Sequence, residues 1–277
     1  MQKFILITGC SSGIGIDAAL GMRERGWKVF ASCRRQRDCD RLTAMGFDAP
    51  LIDYSDSASI KSGLDEVLEK TEGRLDVLFN NGAHVLPGAV EDLPTQGLRE
   101  IFETNLFGWH ELTRLVLPVM RQQGHGRIIQ NSSVLGLAAI PWRGAYIATK
   151  HALEGLSDTM RLELKGTGIH VVLIEPGPVT SKIRENSIPH FEKHIEWKIS
   201  PLRKRYEDGL LNRLYQSNGP DRFELPPSAV TAKLAHACEA RRPRARYYVT
   251  TPTYIAGSLK RILPTRGLDW VLSKMGG

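Results

Sequence analysis

Short apolar runs punctuate this chain, and longer stretches of helical periodicity separate them. The runs cover Phe4–Ile7 and residues 27–31, 75–79, 127–130 and 169–174. They lack the in-out alternation of half-exposed strands, so they read as parallel strands buried on both faces. Between them, Ile60, Leu64, Val67 and Leu68 mark one helical face behind the turn residues Ser55-Asp56-Ser57. Leu98, Ile101, Phe102, Trp109, Leu112 and Val116 mark another, which Pro118 is expected to close. A third helix is expected over 144–165, ending near Gly166 and Gly168. This alternation predicts an α/β fold: one doubly wound parallel sheet with helices on both faces.

After Pro176-Gly177-Pro178 the pattern changes. Residues 181–225 are polar, aromatic and basic, with weak periodicity, and read as a substrate-covering lid. A helix over 226–240 and a strand over 246–250 follow. Tyr254, Ile255, Leu259, Ile262 and Leu263 then share a helical face, and Leu268, Val271, Leu272 and Met275 lie beyond Pro264. The chain reads as a single domain over 1–277, with a core to residue 180, a lid to 225 and a tail to the end.

With 42% hydrophobic and 24% charged residues, the 277-residue chain is too apolar for disorder and too charged for a multispanning membrane protein. A net charge of +7 favours anionic partners without choosing one. Cys10, Cys33, Cys39 and Cys238 are irregularly spaced and form no C-x-x-C, which predicts a reducing, cytoplasmic setting. The Phe4–Ile7 run leads straight into Thr8-Gly9, unlike a signal peptide, and no run of eighteen apolar residues occurs.

The first strand runs into Thr8-Gly9-Cys10-Ser11-Ser12-Gly13-Ile14-Gly15 and then a helical stretch. Glycines let backbone approach a phosphate, and the helix N-terminus behind them favours negative charge. The spacing G-x-x-x-G-x-G between strand and helix points to a dinucleotide. Past the second strand the chain reads Ser32-Cys33-Arg34-Arg35-Gln36-Arg37, with no carboxylate before Asp38. A carboxylate there would repel a 2′-phosphate, whereas Arg34, helped by Ser11, would bind it. NADP(H) is therefore expected over NAD(H).

Tyr146 and Lys150 lie four apart on the third helix, one turn apart on one face. A free phenol has a pKa of about 10, and a neighbouring ammonium is expected to lower it toward useful values. Ser132-Ser133 end a strand thirteen to fourteen residues upstream, where open α/β sheets present ligand-binding residues.

Together these motifs, in order from Ile5 to Thr180, resemble the short-chain dehydrogenase/reductase family. The resemblance includes Asp53-Tyr54-Ser55-Asp56 after the family's third strand, Asn80-Asn81 after its fourth, and Asn105 in the next helix. It implies that Tyr146 is the general acid/base, that Ser133 holds the substrate oxygen, and that Lys150 holds the nicotinamide ribose and lowers the phenol pKa. Asn105 would stabilise a water linking the lysine to solvent. Thr8, Gly9, Ser12, Gly13, Ile14 and Gly15 would cradle the cofactor, Asp53 contact adenine, Asn80 flank its ribose, and Pro176, Gly177, Val179 and Thr180 contact nicotinamide. Asn80-Asn81-Gly82-Ala83 inverts the family's N-N-A-G order, and Ala83 there needs ordinary backbone angles.

The glycine loop, basic second-strand end and tail are closest in look to the hydroxysteroid and retinol dehydrogenase branch. That implies a lipophilic alcohol, aldehyde or ketone, with Val134, Leu135, Trp142 and Arg143 facing it beside Ser133 and Tyr146. It also implies a homo-oligomer, dimer or tetramer, through the helices carrying Asn105 and Tyr146. The tail's apolar face beside Lys260, Arg261, Arg266 and Lys274 offers peripheral contact with an anionic membrane. His190 and His194 have a metal-like i, i+4 spacing but no third ligand, so they are expected to be solvent-exposed and no metal is expected. Arg241-Arg242-Pro243-Arg244 reads as a solvated turn, without a nucleic-acid module. Rival readings are a non-catalytic NADP sensor and a membrane-surface interaction protein.

Overall fold

The computed structural model describes residues 2–216 and 220–273. Its sheet has six strands, β1 (Phe4–Ile7), β2 (Lys28–Ala31), β3 (Val77–Asn80), β4 (Gly126–Asn131), β5 (Ile169–Glu175) and β6 (Arg246–Tyr248). They pair in parallel in the order β2-β1-β3-β4-β5-β6. The family's strand before Asp53 is reduced to two isolated bridges, Phe30 to Asp48 and Cys33 to Leu51.

Because strand side chains alternate, even uniformly apolar strands feed two cores. Ile5, Ile7 and Phe79 join a layer closed by α1 (Gly13–Glu24), α2 (Gln36–Ala44) and, late in the chain, α9 (Ser228–Glu239). Leu6, Leu78 and Ile128 face the other way, onto α3 (Ser57–Lys70), α5 (Gly108–Gln123) and α6 (Gly144–Glu163). Asp56 caps α3 by accepting hydrogen bonds from the backbone N–H groups of Ala58 and Ser59.

The second predicted helix differs in two ways. α4 (Thr95–Phe102) passes into α5 through a wide π turn, Glu103–Phe107, which carries Asn105 into the interior. Pro118 does not close α5, which continues to Gln123 and stops at Gly124 with φ 72°. Met120, fully buried one turn after Val116, anchors the last turn to the sheet, and this outweighs the hydrogen bond that proline removes.

The 181–225 excursion is tied at its base by a bridge between Val179 and Leu225. It holds α7 (Ile183–His194), the short α8 (Arg203–Arg205) and two π turns, Tyr206–Leu210 and Asn212–Gln216. Its Phe191, Ile195, Tyr206, Leu210 and Leu214 bury themselves against Val85, Leu86, Ile101 and Tyr146. The Tyr206 hydroxyl donates to Asp92 Oδ2 at 2.7 Å and accepts from the Ala89 N–H at 2.8 Å.

The tail forms α10 (Thr251–Ile262) and α11 (Thr265–Ser273). The buried face of α10 is small, Thr253, Ala256 and Gly257, whereas Tyr254, Ile255 and Ile262 of the expected apolar face are exposed. Small residues win because Gly257 lies against the Tyr248 ring, where a Cβ would come within 2.6 Å. Lys274 and Met275 lie outside the described residues. No described helix is long and apolar enough to cross a membrane.

Candidate active site

The glycine loop, the C-terminal ends of β3, β4 and β5 and the 181–225 segment enclose a cleft of about 1050 Å³. Gly9 and Gly13 have φ of +68° and +56°, conformations that side chains disfavour. A Cβ on Gly9 would meet Gly82 Cα at 2.5 Å, and one on Gly15 would meet Gly9 O at 2.2 Å. Gly15 therefore packs the loop onto its helix, while Thr8, Gly9, Ser11, Ser12, Gly13 and Ile14 line the cleft. This bare backbone at the N-terminus of α1 fits a dinucleotide pyrophosphate.

The inverted pair resolves here. Gly82 and Ala83 both have ordinary φ, and Gly82 sits where a Cβ would lie 3.2 Å from Gly9 Cα. The Trp109 indole N–H donates to Gly82 O at 2.8 Å and holds the turn.

Asn80 and Asn81 divide their work differently from the expectation. Asn80 is wholly buried: its amide donates to Thr113 Oγ1 and Gln130 Oε1, both at 3.0 Å, and its Oδ1 accepts from the Tyr54 hydroxyl at 2.6 Å. With its hydrogen bonds spent inside the core, it does not line the cleft. Asn81 does, and its amide donates to Thr8 O at 3.0 Å. Asp53 lines the cleft with its carboxylate folded back onto the Ser55 N–H and hydroxyl. Arg34 is exposed at the cleft rim. Arg41 on α2, missed from sequence because that helix was not foreseen, braces the loop by donating to Ser11 O at 2.6 Å.

Ser133 caps a single turn, Val134–Gly136, accepting the Leu135 N–H at 3.1 Å. Its hydroxyl lies near enough to the Tyr146 phenol to favour the ionised form. Burial outweighs that influence and pushes the phenol up to about 12, so the expected lowering by the lysine is overturned. Lys150 is buried with its ammonium 5.5 Å from the Tyr146 ring centroid and 4.2 Å from that of Trp109. It donates to Asn131 O at 2.8 Å. Desolvation brings it down to about 7, opposed by Glu154 one turn away.

Asn105 lies one step behind. Its amide donates to His84 O at 2.8 Å and contacts Thr149 Oγ1 at 3.5 Å, while its Oδ1 accepts the His84 N–H at 3.1 Å. These bonds place it against the lysine's helix, not on the lysine. Asn131, Trp109 and His84 escaped sequence reading because nothing in their spacing distinguishes them from core residues.

Among the expected substrate residues, Val134, Leu135 and Arg143 line the cleft with Ser133 and Tyr146, as do Pro176, Gly177, Val179 and Thr180. Trp142 does not: at φ +66° its ring meets that of Tyr206 at a tilt of 55°, with centroids 4.7 Å apart, pinning the 181–225 segment. The two histidines are half-buried rather than solvent-exposed. His190 stacks on His84 at 3.9 Å, and His194 Nε2 contacts Glu100 Oε2 at 2.9 Å, because α7 folds down onto the domain.

Comparison with known proteins agrees with this geometry. The family model described as short chain dehydrogenase matches residues 3–191. The uncharacterized oxidoreductase YbbO of Escherichia coli K12 is 40% identical over 273 residues, covering 98% of this chain and 94% of its own. Human 17-beta-hydroxysteroid dehydrogenase type 1 is 31% identical, covering 90% of this chain and 78% of its own. The crystal structure of a short-chain dehydrogenase from Streptomyces avermitilis superposes with a TM-score of 0.79 at 28% identity, covering 98% of this chain and 93% of its own.

Proposed function

The chain belongs to the short-chain dehydrogenase/reductase family, oxidoreductases acting on CH–OH groups with a nicotinamide dinucleotide, and we propose that it reduces a lipophilic aldehyde or ketone with NADPH. One observation carries this reading: a buried phenol that keeps its proton at neutral pH faces, with Ser133, a cleft beside a bare-backbone loop. A protonated Tyr146 suits donation to a carbonyl oxygen, and hence reduction, better than abstraction from an alcohol. Ser133 holds that oxygen in line with the phenol. Lys150, with its pKa near 7, exchanges protons readily and restores the phenol. Bound along the glycine loop, the reduced cofactor supplies the two-electron equivalent as hydride.

Arg34 at the rim, with Ser11 beside it, supports a preference for NADP(H), since no carboxylate stands there against a 2′-phosphate. Val134, Leu135 and Ile140, with Ile183, Ile188 and Leu214 of the 181–225 segment, line the cleft and support a lipophilic substrate, and that segment acts as the lid. The likeness to a hydroxysteroid dehydrogenase agrees. Exposed Phe107, Leu156 and Leu162 on the helices carrying Asn105 and Tyr146 support a homo-oligomer, which light scattering tests. Exposed Ile255 and Ile262 beside Lys260 and Arg261 support peripheral contact with anionic membrane, which vesicle flotation tests.

The decisive experiment follows NADPH oxidation across a carbonyl panel, with Tyr146→Phe alongside. Apolar carbonyls are expected to outperform short polar ones, and the variant to lose the activity. Equal turnover of short polar carbonyls sinks the substrate class, and an active Tyr146→Phe sinks the mechanism.

A further inference from the structure

The lid side of the cleft holds more positive charge than it can neutralise. Arg143 sits three residues before Tyr146, at the entry to α6, and lines the cleft. Its guanidinium donates to Trp142 O at 3.3 Å, a neutral acceptor. Among the described residues no carboxylate pairs with it. Burial drives it down to about 10, and Arg213 and Arg184 push the same way, with only Asp221 opposing. Asp221 is already engaged, taking Arg213 Nη2 at 3.1 and 3.2 Å and Arg184 Nη2 at 3.2 Å. Glu224, on the same wall, is turned onto the Thr180 hydroxyl at 2.7 Å and the Asp221 N–H at 2.8 Å. Arg143 is thus the one of these three guanidiniums without a carboxylate partner among the described residues.

A charge held in an enclosed place without a partner is costly, and a guanidinium fork matches carboxylate, sulfonate or phosphate oxygens. We propose that the substrate is an amphiphile whose anionic head group seats on Arg143 while its apolar body lies along the lid. This rests on the reductase reading above and narrows its substrate class.

The geometry gives the cofactor's own phosphates a different seat. They belong at the glycine loop and α1, with Arg34 at that end. Arg143 is bridged through its backbone to Gly88, and its neighbours Trp142 and Tyr146 belong to the apolar cluster of Val85, Leu86 and the lid. Val134, Leu135, Ile140 and Ile188 line the same cleft and supply an apolar path.

The test titrates the NADP⁺-saturated protein with decanoate, decyl sulfonate, decyl phosphate and decanol by calorimetry. In the wild type at least one anion is expected to bind about tenfold or more tighter than decanol, the worth of one charged hydrogen bond. Arg143→Ala should erase that preference and Arg143→Lys retain part of it, with folding of each checked by thermal melting. The anion that wins distinguishes the three head groups. The proposal is overturned if no anion beats decanol, or if the preference survives in Arg143→Ala. It is equally overturned if Arg143→Ala weakens NADPH as much as the anion, since the guanidinium would then serve the cofactor. Turnover of an ω-oxo fatty acid against its methyl ester should show the same Arg143-dependent ratio. If no carbonyl is reduced while an anion still binds through Arg143, the reductase reading falls and the anion seat stands.

Discussion

On one wall of the cleft, at Gly9 and Gly15, backbone approaches backbone within distances no side chain would tolerate, and Gly13 holds a positive φ. On the other, Leu135, Arg143, Ile188 and Arg213 reach in with long side chains from stretches of chain far apart in sequence. In the reading proposed above, the first wall recognises what every dinucleotide shares, a pyrophosphate, so it needs little more than exposed N–H groups and a helix end. The second recognises what is particular to one substrate, and specificity of that kind has to be written in side chains. The phenol and the lysine stand between them, both stripped of water, one pushed up by burial and the other down.

That contrast can be broken most severely at the backbone wall. Gly15→Val would drive a side chain into Gly9 O, and loss of measurable nucleotide binding is expected by fluorescence titration; a variant that still binds NADPH would show that the loop adapts. Next comes the centre. Tyr146→Phe should lower kcat/KM by roughly 10³-fold, as general-acid removal does, while the NADPH dissociation constant holds steady. A parallel loss of NADPH affinity would instead place the phenol in binding.

At the rim the expected change is smaller. Arg34→Ala should weaken NADPH about tenfold and leave NADH nearly untouched, as removal of one charged hydrogen bond implies; equal weakening of both would remove the 2′-phosphate assignment. A subtler change concerns Lys150, whose folded pKa of about 7 lies below its ordinary value of 10.5. As pH rises from 7 toward 9, the unfolded chain keeps a proton that the folded protein has released, so stability should rise over that interval and be lowest below it. Subtracting the melting temperatures of Lys150→Met from those of the wild type isolates this slope, and a flat difference would mean that the ammonium is solvated. The least effect is expected at Gly82→Ala, where a Cβ 3.2 Å from Gly9 Cα asks for a shift of a few tenths of an ångström. Comparable NADPH affinity would show that the inverted order is neutral, whereas a large loss would make it a requirement.

Legibility in the sequence followed the same division. Strands β1 to β5 showed as apolar runs because burial on both faces leaves no room for polar residues. The glycine loop, Ser133, Tyr146 and Lys150 stood out through local spacing, either at a strand end or one helical turn apart, and the fold brings them to one cleft. Pro118 misled, since the local penalty of a proline was outweighed by the burial of Met120, which depends on the sheet beneath. Asn80 and Asn81 could not be told apart, because adjacent residues at a strand end face opposite sides and only the packing says which side is the core. The histidines misled for a related reason: polar residues at i, i+4 look exposed until α7 is seen folded onto His84 and Glu100.

The sequence by itself determined the order of the buried strands and most of the helices between them, the glycine loop, and the candidate tyrosine, lysine and serine. All of these arise from interactions between near neighbours, which periodicity and spacing record directly. Only the tertiary structure decided the direction in which the phenol and ammonium titrate, which asparagine faces the cleft, and which arginine is left without a counter-charge. Those depend on desolvation and on charges brought together across the fold, and both are properties of the three-dimensional surroundings rather than of any stretch of chain.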